Sequence, residues 1–383
     1  KSDLTVLSIF CLMVCSAPFY WIQLYGGDPF YYLLVGSILS FTGLLALLNF
    51  NNIRIQTTYL LLFTSIFLGF SIITFVHIGK GQETEMFRYM LGFLFKCSLV
   101  LILFFSDREY FFAKLYVKFS VALCILVLIT LAFVLLGLWP FEFFHQPTPT
   151  KYVFNYLTTF SPSIREFGSF QYPRMSSFLD EPGSFAFLIA MAILINNRFT
   201  KIKNSETILL ITGLLTFSLA FYVFSLVYIL LKGGSLYFRV IYFFLFLIIG
   251  FSLYFLFDLF SEIFNQFFRR ATWDEQKGSF YGDNRFVTAV YPEDLIFGDG
   301  LKGGRDSIIG EINNIGIFGL LVTYAPFFLI AYRSFVQRKL NYDSVFIICT
   351  LTLLLQRPAI EKLYIFLPVY YYMHAMIYES RKK

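Results

Sequence analysis

Apolar runs of about 20 residues recur along the chain, separated by short polar stretches that carry most of the lysines and arginines. Runs of that length match the hydrocarbon core of a bilayer when coiled as α-helices. Lipid offers no partner for backbone N–H and C=O groups, so the spans are expected to be helical. Strands alternating over about 10 residues, the signature of an outer-membrane barrel, are absent. The pattern predicts spans over Leu4–Ile22, Phe30–Leu48, Thr57–Val76, Met90–Phe105, Ala113–Leu138 and Ser177–Asn196. An ambiguous stretch, Thr207–Leu231, follows, and then Val240–Phe257, Ile308–Tyr332, Val345–Leu355 and Leu363–Ile377. The first run has no small-residue cleavage site and is read as a span.

The ambiguous stretch decides the threading. A single crossing at Thr207–Leu231 puts Lys232, Arg239 and the terminal Arg381-Lys382-Lys383 outside. Two half-helices that enter and return put them inside, together with Arg54, Arg108, Lys114, Lys118, Arg198, Lys201, Lys203, Arg333, Arg338 and Lys339. The second arrangement obeys the positive-inside rule. A broken hairpin is therefore expected, with its turn near Ser218 to Ser225. Non-helical backbone at that depth must be buried in protein or line a wet cavity. The two long loops, 139–176 and 258–307, then share the extracytoplasmic face, and the chain forms a single membrane domain, 1–383. Within the second loop, LFSEIFNQFFRR repeats apolar residues at helical spacing and reads either as a helix on the outer leaflet or as an extension of the preceding span.

Composition agrees: 58% of the 383 residues are hydrophobic and only 14% are charged, with a mean hydropathy of +0.69. The expected fold class is all-α, a polytopic integral membrane protein of about 11 membrane segments including the broken pair. The net charge of +6 is spread over short loops, so it points to membrane orientation and no nucleic acid is expected as a partner. The five cysteines all lie in apolar runs without a CxxC, which signals neither disulfides nor zinc. There is no Walker A loop and no GxGxxG, and no metal or other cofactor is expected.

Two polar clusters adjoin apolar helices. In RMSSFLDEPGSFA, starting at Arg174, Asp180 or Ser177 is suited to cap a helix and Pro182 to occupy its first turn. The positive helix end beside Arg174 makes an anion site there as plausible as an ordinary capped start. The second cluster runs through GDNRF and LIFGDGLKGGRDS to Glu311, Asn313 and Asn314, polar residues in the first turns of a late span. Polar side chains at membrane depth usually face the bundle interior and carry function.

These residues resemble the O-antigen polymerase and ligase superfamily. The first motif matches at Arg174, Ser177, Phe178, Glu181, Pro182 and Ala186. DNRF, then LIFGDGL, then a polar stretch ending in GIFGLL follow in the order that superfamily shows, and LLTFSLAFYVF sits at the short broken pair. In the ligases a histidine precedes the last glycine pair; counting back from Gly316, Arg305 takes that place, followed by Asp306, which favours the polymerase branch.

The resemblance implies a GT-C-like glycosyltransferase of the bacterial inner membrane, working at the periplasmic face. It implies that undecaprenyl-diphosphate-linked oligosaccharides serve as donor and acceptor, with membrane lipid and a chain-length regulator protein as further partners. Such a donor arrives through the bilayer and needs no nucleotide-binding fold. Its diphosphate leaving group calls for arginine, which binds phosphate bidentately, and its acceptor hydroxyl calls for a base. Arg174, Arg285 and Arg305 are expected to converge near the outer boundary and bind the diphosphate, with Arg165 and Lys302 in the same role. Glu181 and Asp306 are the general-base candidates, followed by Glu311. A ligase and a flippase or transporter are the competing expectations.

Overall fold

The computed structural model describes residues 2–15, 34–45, 67–69, 71–73, 75–76, 83–107, 110–138, 142–145, 152–155, 160–161, 164–167, 170–179, 181–232, 273–274, 279–280, 295–298, 308–336, 342–356 and 362–382. The expected span Val240–Phe257 and the LFSEIFNQFFRR helix lie outside them. The helices are α1 (Ser2–Cys15), α2 (Glu83–Ser106), α3 (Phe111–Leu135), α4 (Pro182–Ile195), α5 (Ser205–Leu215), α6 (Leu219–Leu231), α7 (Ile308–Val336), α8 (Tyr342–Gln356) and α9 (Leu363–Lys382), with shorter helical pieces between α1 and α2. Among the described residues, two helices are long and apolar enough to cross a membrane, Phe111–Leu135 and Pro182–Thr200; shorter apolar segments of 10–17 residues, such as Met90–Ser106 and Ile312–Ala325, lie in other helices.

The framework is helical, as the expected all-α class requires, and the described loops add short strands to it. The long loops carry short antiparallel ladders. In the first, β1 (Glu142–His145), β2 (Tyr152–Asn155) and β3 (Phe160–Ser161) form one sheet, and β4 (Ile164–Phe167) pairs with β5 (Phe170–Pro173). In the second, β6 (Trp273–Asp274) pairs with β7 (Ser279–Phe280). EFFH and YVFN are rich in the aromatic and β-branched residues that favour strands. A search for ten-residue alternation passes over ladders of two to four residues.

The residues cluster into two compact units: Lys1–Met13, Leu39–Glu109 and Trp273–Lys383 in one, Val14–Ile38 and Tyr110–Thr272 in the other. In the second unit α4 is the central helix, and all 14 of its residues are buried. It packs against α3, α5 and α6. Gly183, Ser184 and Ala186 are buried in its first turns, where small side chains let neighbouring backbones approach. Tyr116 of α3 donates a hydrogen bond to the Leu188 carbonyl at 3.4 Å. The helix starts at Pro182, later than the expected Ser177; residues 174–179 and 181 are non-helical. It runs on into a π-helical turn, Asn196–Thr200.

In the first unit α2, α7, α8 and α9 pack through aromatic rings. Phe346 and Tyr372 stack at 3.6 Å between centroids, and Phe366 and Tyr370 at 4.1 Å. Phe93 meets Phe366 edge-on at 5.3 Å. The Tyr hydroxyls find polar partners, as buried phenols require. Tyr370 donates to the Thr323 carbonyl at 2.6 Å, and Tyr371 donates to the Asp107 carboxylate.

Two helical breaks depart from simple spans. The first separates α5 from α6 over Thr216–Ser218. Tyr222 of α6 donates to the Leu214 carbonyl of α5 at 2.9 Å, while Tyr228 and Lys232, at the far end of α6, reach Glu206 at the start of α5. The start of one helix thus meets the end of the other, so the two run antiparallel as a hairpin of half-length helices. The turn falls at 216–218, and Ser225 sits within α6, away from the expected position at the turn. The second break divides α7, expected to be continuous, at Gly316 (φ 69°, ψ 175°), a conformation open only to glycine.

Candidate functional site

Arg174 follows directly on β5, in non-helical chain before α4. Its side chain is half-buried. Nε donates to the Thr216 carbonyl at 3.4 Å and Nη2 to the Phe217 carbonyl at 3.0 Å. These two oxygens lie at the C-terminal end of α5, where a helix leaves carbonyls without intrahelical partners. The guanidinium therefore satisfies the hairpin break and sits at the negative end of the α5 dipole. The backbone there has no local reason to turn: Phe217 takes φ 52° without being glycine. Gly213 helps from within the hairpin, since a Cβ on it would meet the Phe221 ring. A snorkelling arginine would reach for water; Arg174 instead turns onto protein backbone.

Glu181 is the residue that caps α4, in place of the expected Asp180 or Ser177. Its carbonyl accepts from the N–H groups of Ser184 and Phe185 at 3.0 and 3.2 Å, and its carboxylate makes no capping hydrogen bond. Pro182 occupies the first turn, as its fixed φ and missing N–H favour. Asp180 lies outside the described residues. Between Arg174 and Glu181 two adjacent serines differ. Ser176 Oγ donates to the Leu179 carbonyl at 2.8 Å. Ser177 is fully buried in the left-handed region (φ 53°), and its Oγ has no hydrogen-bond partner among the described residues.

The second cluster lies in the other unit. Arg285, Lys302, Arg305 and Asp306 lie outside the described residues. Glu311 is in the first turns of α7, upstream of the Gly316 break, with Asn313 half-buried and Asn314 buried. The LIFG stretch, 295–298, fills that break. Leu295 and Ile296 carbonyls accept from the N–H groups of Ile317 and Phe318 at 2.9 and 3.0 Å. Gly298 (φ 74°) and Gly316 mark the crossing: a Cβ on Gly298 would meet the Asn314 backbone, and one on Gly316 the backbone of Ile296 and Phe297. The glycines of LIFGDGL and GIFGLL therefore have a backbone role that spacing alone did not reveal. Arg165 lies on β4, in register with Tyr172 on β5.

Arg174 and Glu181 thus belong to one unit, and Glu311 with the glycine crossing to the other. The partners missed by sequence reading are the Thr216 and Phe217 carbonyls, 42 and 43 residues from Arg174. Backbone acceptors carry no residue-type signal, so nothing in the sequence pointed to them. Among the described residues no three His, Cys, Asp or Glu side chains come together as a metal site would need. No family model, no curated protein and no solved structure matches the chain.

Proposed function

We propose that this chain is a multi-pass membrane glycosyltransferase that polymerises lipid-diphosphate-linked oligosaccharide units into O-antigen or a similar surface polysaccharide at the periplasmic face of the bacterial inner membrane. The observation that carries this reading is Arg174, a cation held by backbone carbonyls at the tip of a helical hairpin, seven residues before the cap of a fully buried helix. A guanidinium held in place by protein is suited to meet a diphosphate without reorganising. Its Nε and Nη2 donate in holding it. Membrane insertion is supported by the two long apolar helices and by breaks whose backbone groups are met by protein and not by solvent.

In the proposed reaction an acceptor sugar hydroxyl attacks the anomeric carbon of the donor. The bond from that carbon to the phosphate oxygen breaks, and the lipid diphosphate leaves with its electron pair. Arg174, Arg285 and Arg305 neutralise the leaving group, with Arg165 and Lys302 assisting. Glu181 takes the hydroxyl proton, or Asp306 or Glu311 does so. A carboxylate ion-paired with arginine is a weaker base, so one of these orients an arginine instead.

The test is polymer length and single-turnover rate for Arg174→Ala, Arg285→Ala, Arg305→Ala, Glu181→Gln and Asp306→Asn at matched membrane expression. Each arginine variant is expected to lose roughly 100-fold or more in rate. Full-length polymer from all three rejects the assignment. The hairpin break also favours a transporter, because broken helices often line transport sites. A deletion strain separates the readings. Single capped lipopolysaccharide units without a ladder mark a polymerase, whereas loss of all capping marks a transporter or a ligase.

A further inference from the structure

The strongest charge asymmetry among the described residues lies away from Arg174, at the start of α3 and the end of the α4 region. Residues 110–118 and 196–203 together hold five cations, Lys114, Lys118, Arg198, Lys201 and Lys203, and no carboxylate. Glu109 immediately precedes the first segment, and Glu206, three residues beyond the second, is engaged by Lys232 and Tyr228. Tyr110 stacks on Phe199 at 4.9 Å between centroids, which joins the two segments, and the Arg198 guanidinium lies 6.0 Å from the same Phe199 ring.

The turn that presents these cations is held in shape. Asn196 is buried, and its Oδ1 accepts from Thr200 Oγ1 at 2.6 Å and from the Ile202 N–H at 2.8 Å. Lys201 (φ 49°) and Asn204 (φ 62°) both adopt the left-handed region without being glycine. Lys201 thereby ends the π-helical turn, its N–H donating to the Asn196 carbonyl at 2.8 Å. Lys201 and Lys203 are exposed.

The α3 helix supplies the second half of the argument. Lys114 and Lys118 are exposed four residues apart, and the exposed positions continue along the same helical face through Ala122, Ile125 and Ile129. One stripe therefore passes from cationic to apolar within a few turns. A nucleic acid or a soluble anion has no use for the apolar part; an amphiphile matches both.

We propose that Lys114 and Lys118 of α3, with the Arg198–Lys203 turn, bind the phosphate of an anionic phospholipid headgroup, whose acyl chain lies along the Ile125–Ile129 stripe. This rests on the membrane reading above but not on the polymerase reaction. Juxtamembrane cations contribute additively to such binding.

The test uses the full chain in neutral detergent and reads the thermal-shift midpoint during titration with phosphatidylglycerol, with phosphatidylcholine of the same acyl chains, and with inorganic phosphate. Phosphatidylglycerol is expected to stabilise at a concentration at least roughly tenfold below phosphatidylcholine. Replacing Lys114, Lys118, Lys201 and Lys203 together by Gln is expected to abolish that preference, and replacing them by Arg to keep it. Equal response to the two lipids, or a preference that survives the Gln variant, overturns the proposal. An equal response to inorganic phosphate overturns the lipid assignment. Carbonate extraction of cell membranes reads the premise separately. Release of the chain into the soluble fraction defeats the membrane reading and this site with it; retention with equal lipid responses defeats the site alone.

Discussion

The two helical breaks meet the same requirement with different materials. Each frees backbone groups that a helix would otherwise pair, and in protein or lipid those groups must find partners. At Thr216–Ser218 the freed groups are carbonyls, and a side chain, Arg174, donates to them. At Gly316 the freed groups are N–H donors, and backbone carbonyls of Leu295 and Ile296 accept from them. The first solution tolerates ordinary residues at the turn, including Phe217 at φ 52°. The second demands two glycines, because two backbones pass too close for any Cβ. A side-chain clamp can be exchanged, weakened or recruited by a ligand. A backbone crossing is set by sterics and suits a fixed scaffold.

The largest effect is expected where sterics leave no alternative. Gly316→Ala puts a Cβ into the backbone of Ile296 and Phe297 at a φ/ψ pair that only glycine adopts. It is expected to destabilise by about 3 kcal/mol or more, read as loss of monodisperse protein and a lowered Tm in detergent. Gly319→Ala sharpens the contrast, since its Cβ would crowd the Ile315 side chain, Cβ included, but its backbone is not in the positive-φ region that Gly316 occupies. A Gly316→Ala protein as stable as Gly319→Ala breaks the comparison.

The clamp is expected to matter next. Arg174→Ala leaves the Thr216 and Phe217 carbonyls without their donor, at about 1–3 kcal/mol in Tm-derived stability. Lysine is expected to recover part of this, because a point charge still favours a helix C-terminus. If Arg174→Ala keeps its Tm but lacks the proposed polymerising activity that the parent chain shows in the same assay, the residue serves that reaction and not the hairpin.

The smallest effect has the opposite sign. Ser177→Gly removes a buried hydroxyl that has no partner among the described residues and relieves a left-handed φ. It is expected to raise stability by about 1 kcal/mol, a measurable increase in Tm. Ser176→Ala is expected to lower it, because Ser176 Oγ has an acceptor in Leu179. A lowered Tm for Ser177→Gly would mean that the hydroxyl has a partner after all.

Local chemistry was legible in the sequence. Apolar runs announced helices, Pro182 announced a helix start, and the placement of Lys232 and Arg239 among the basic short loops called for a hairpin before any break was visible. α5 and α6 are separate antiparallel helices, though LLTFSLAF contains neither glycine nor proline at the break. The turn was placed in part: Ser218 stands at it and Ser225 does not, since no breaker residue marks 216–218. The short ladders of the 139–176 loop were missed because pairs of two to four residues barely register as a pattern. The role of Gly298 and Gly316 was half-legible: the glycines stood out, but not that they face each other's strand of backbone.

Helix-forming tendency and the fitness of Pro182 for a first helical turn are properties of short windows, so the sequence determines them alone. Which carbonyls Arg174 would meet is not such a property. Every residue from Thr207 to Leu231 offers the same backbone oxygen, and only the packing of α4 against α5 and α6 decides that Thr216 and Phe217 come within reach. Tertiary structure likewise decides that Phe217 and Ser177 hold left-handed backbones their own side chains disfavour. The physical reason is the same in each case: a window fixes what a residue prefers, while a contact between residues more than 40 positions apart exists only once the chain has paid the entropy of bringing them together.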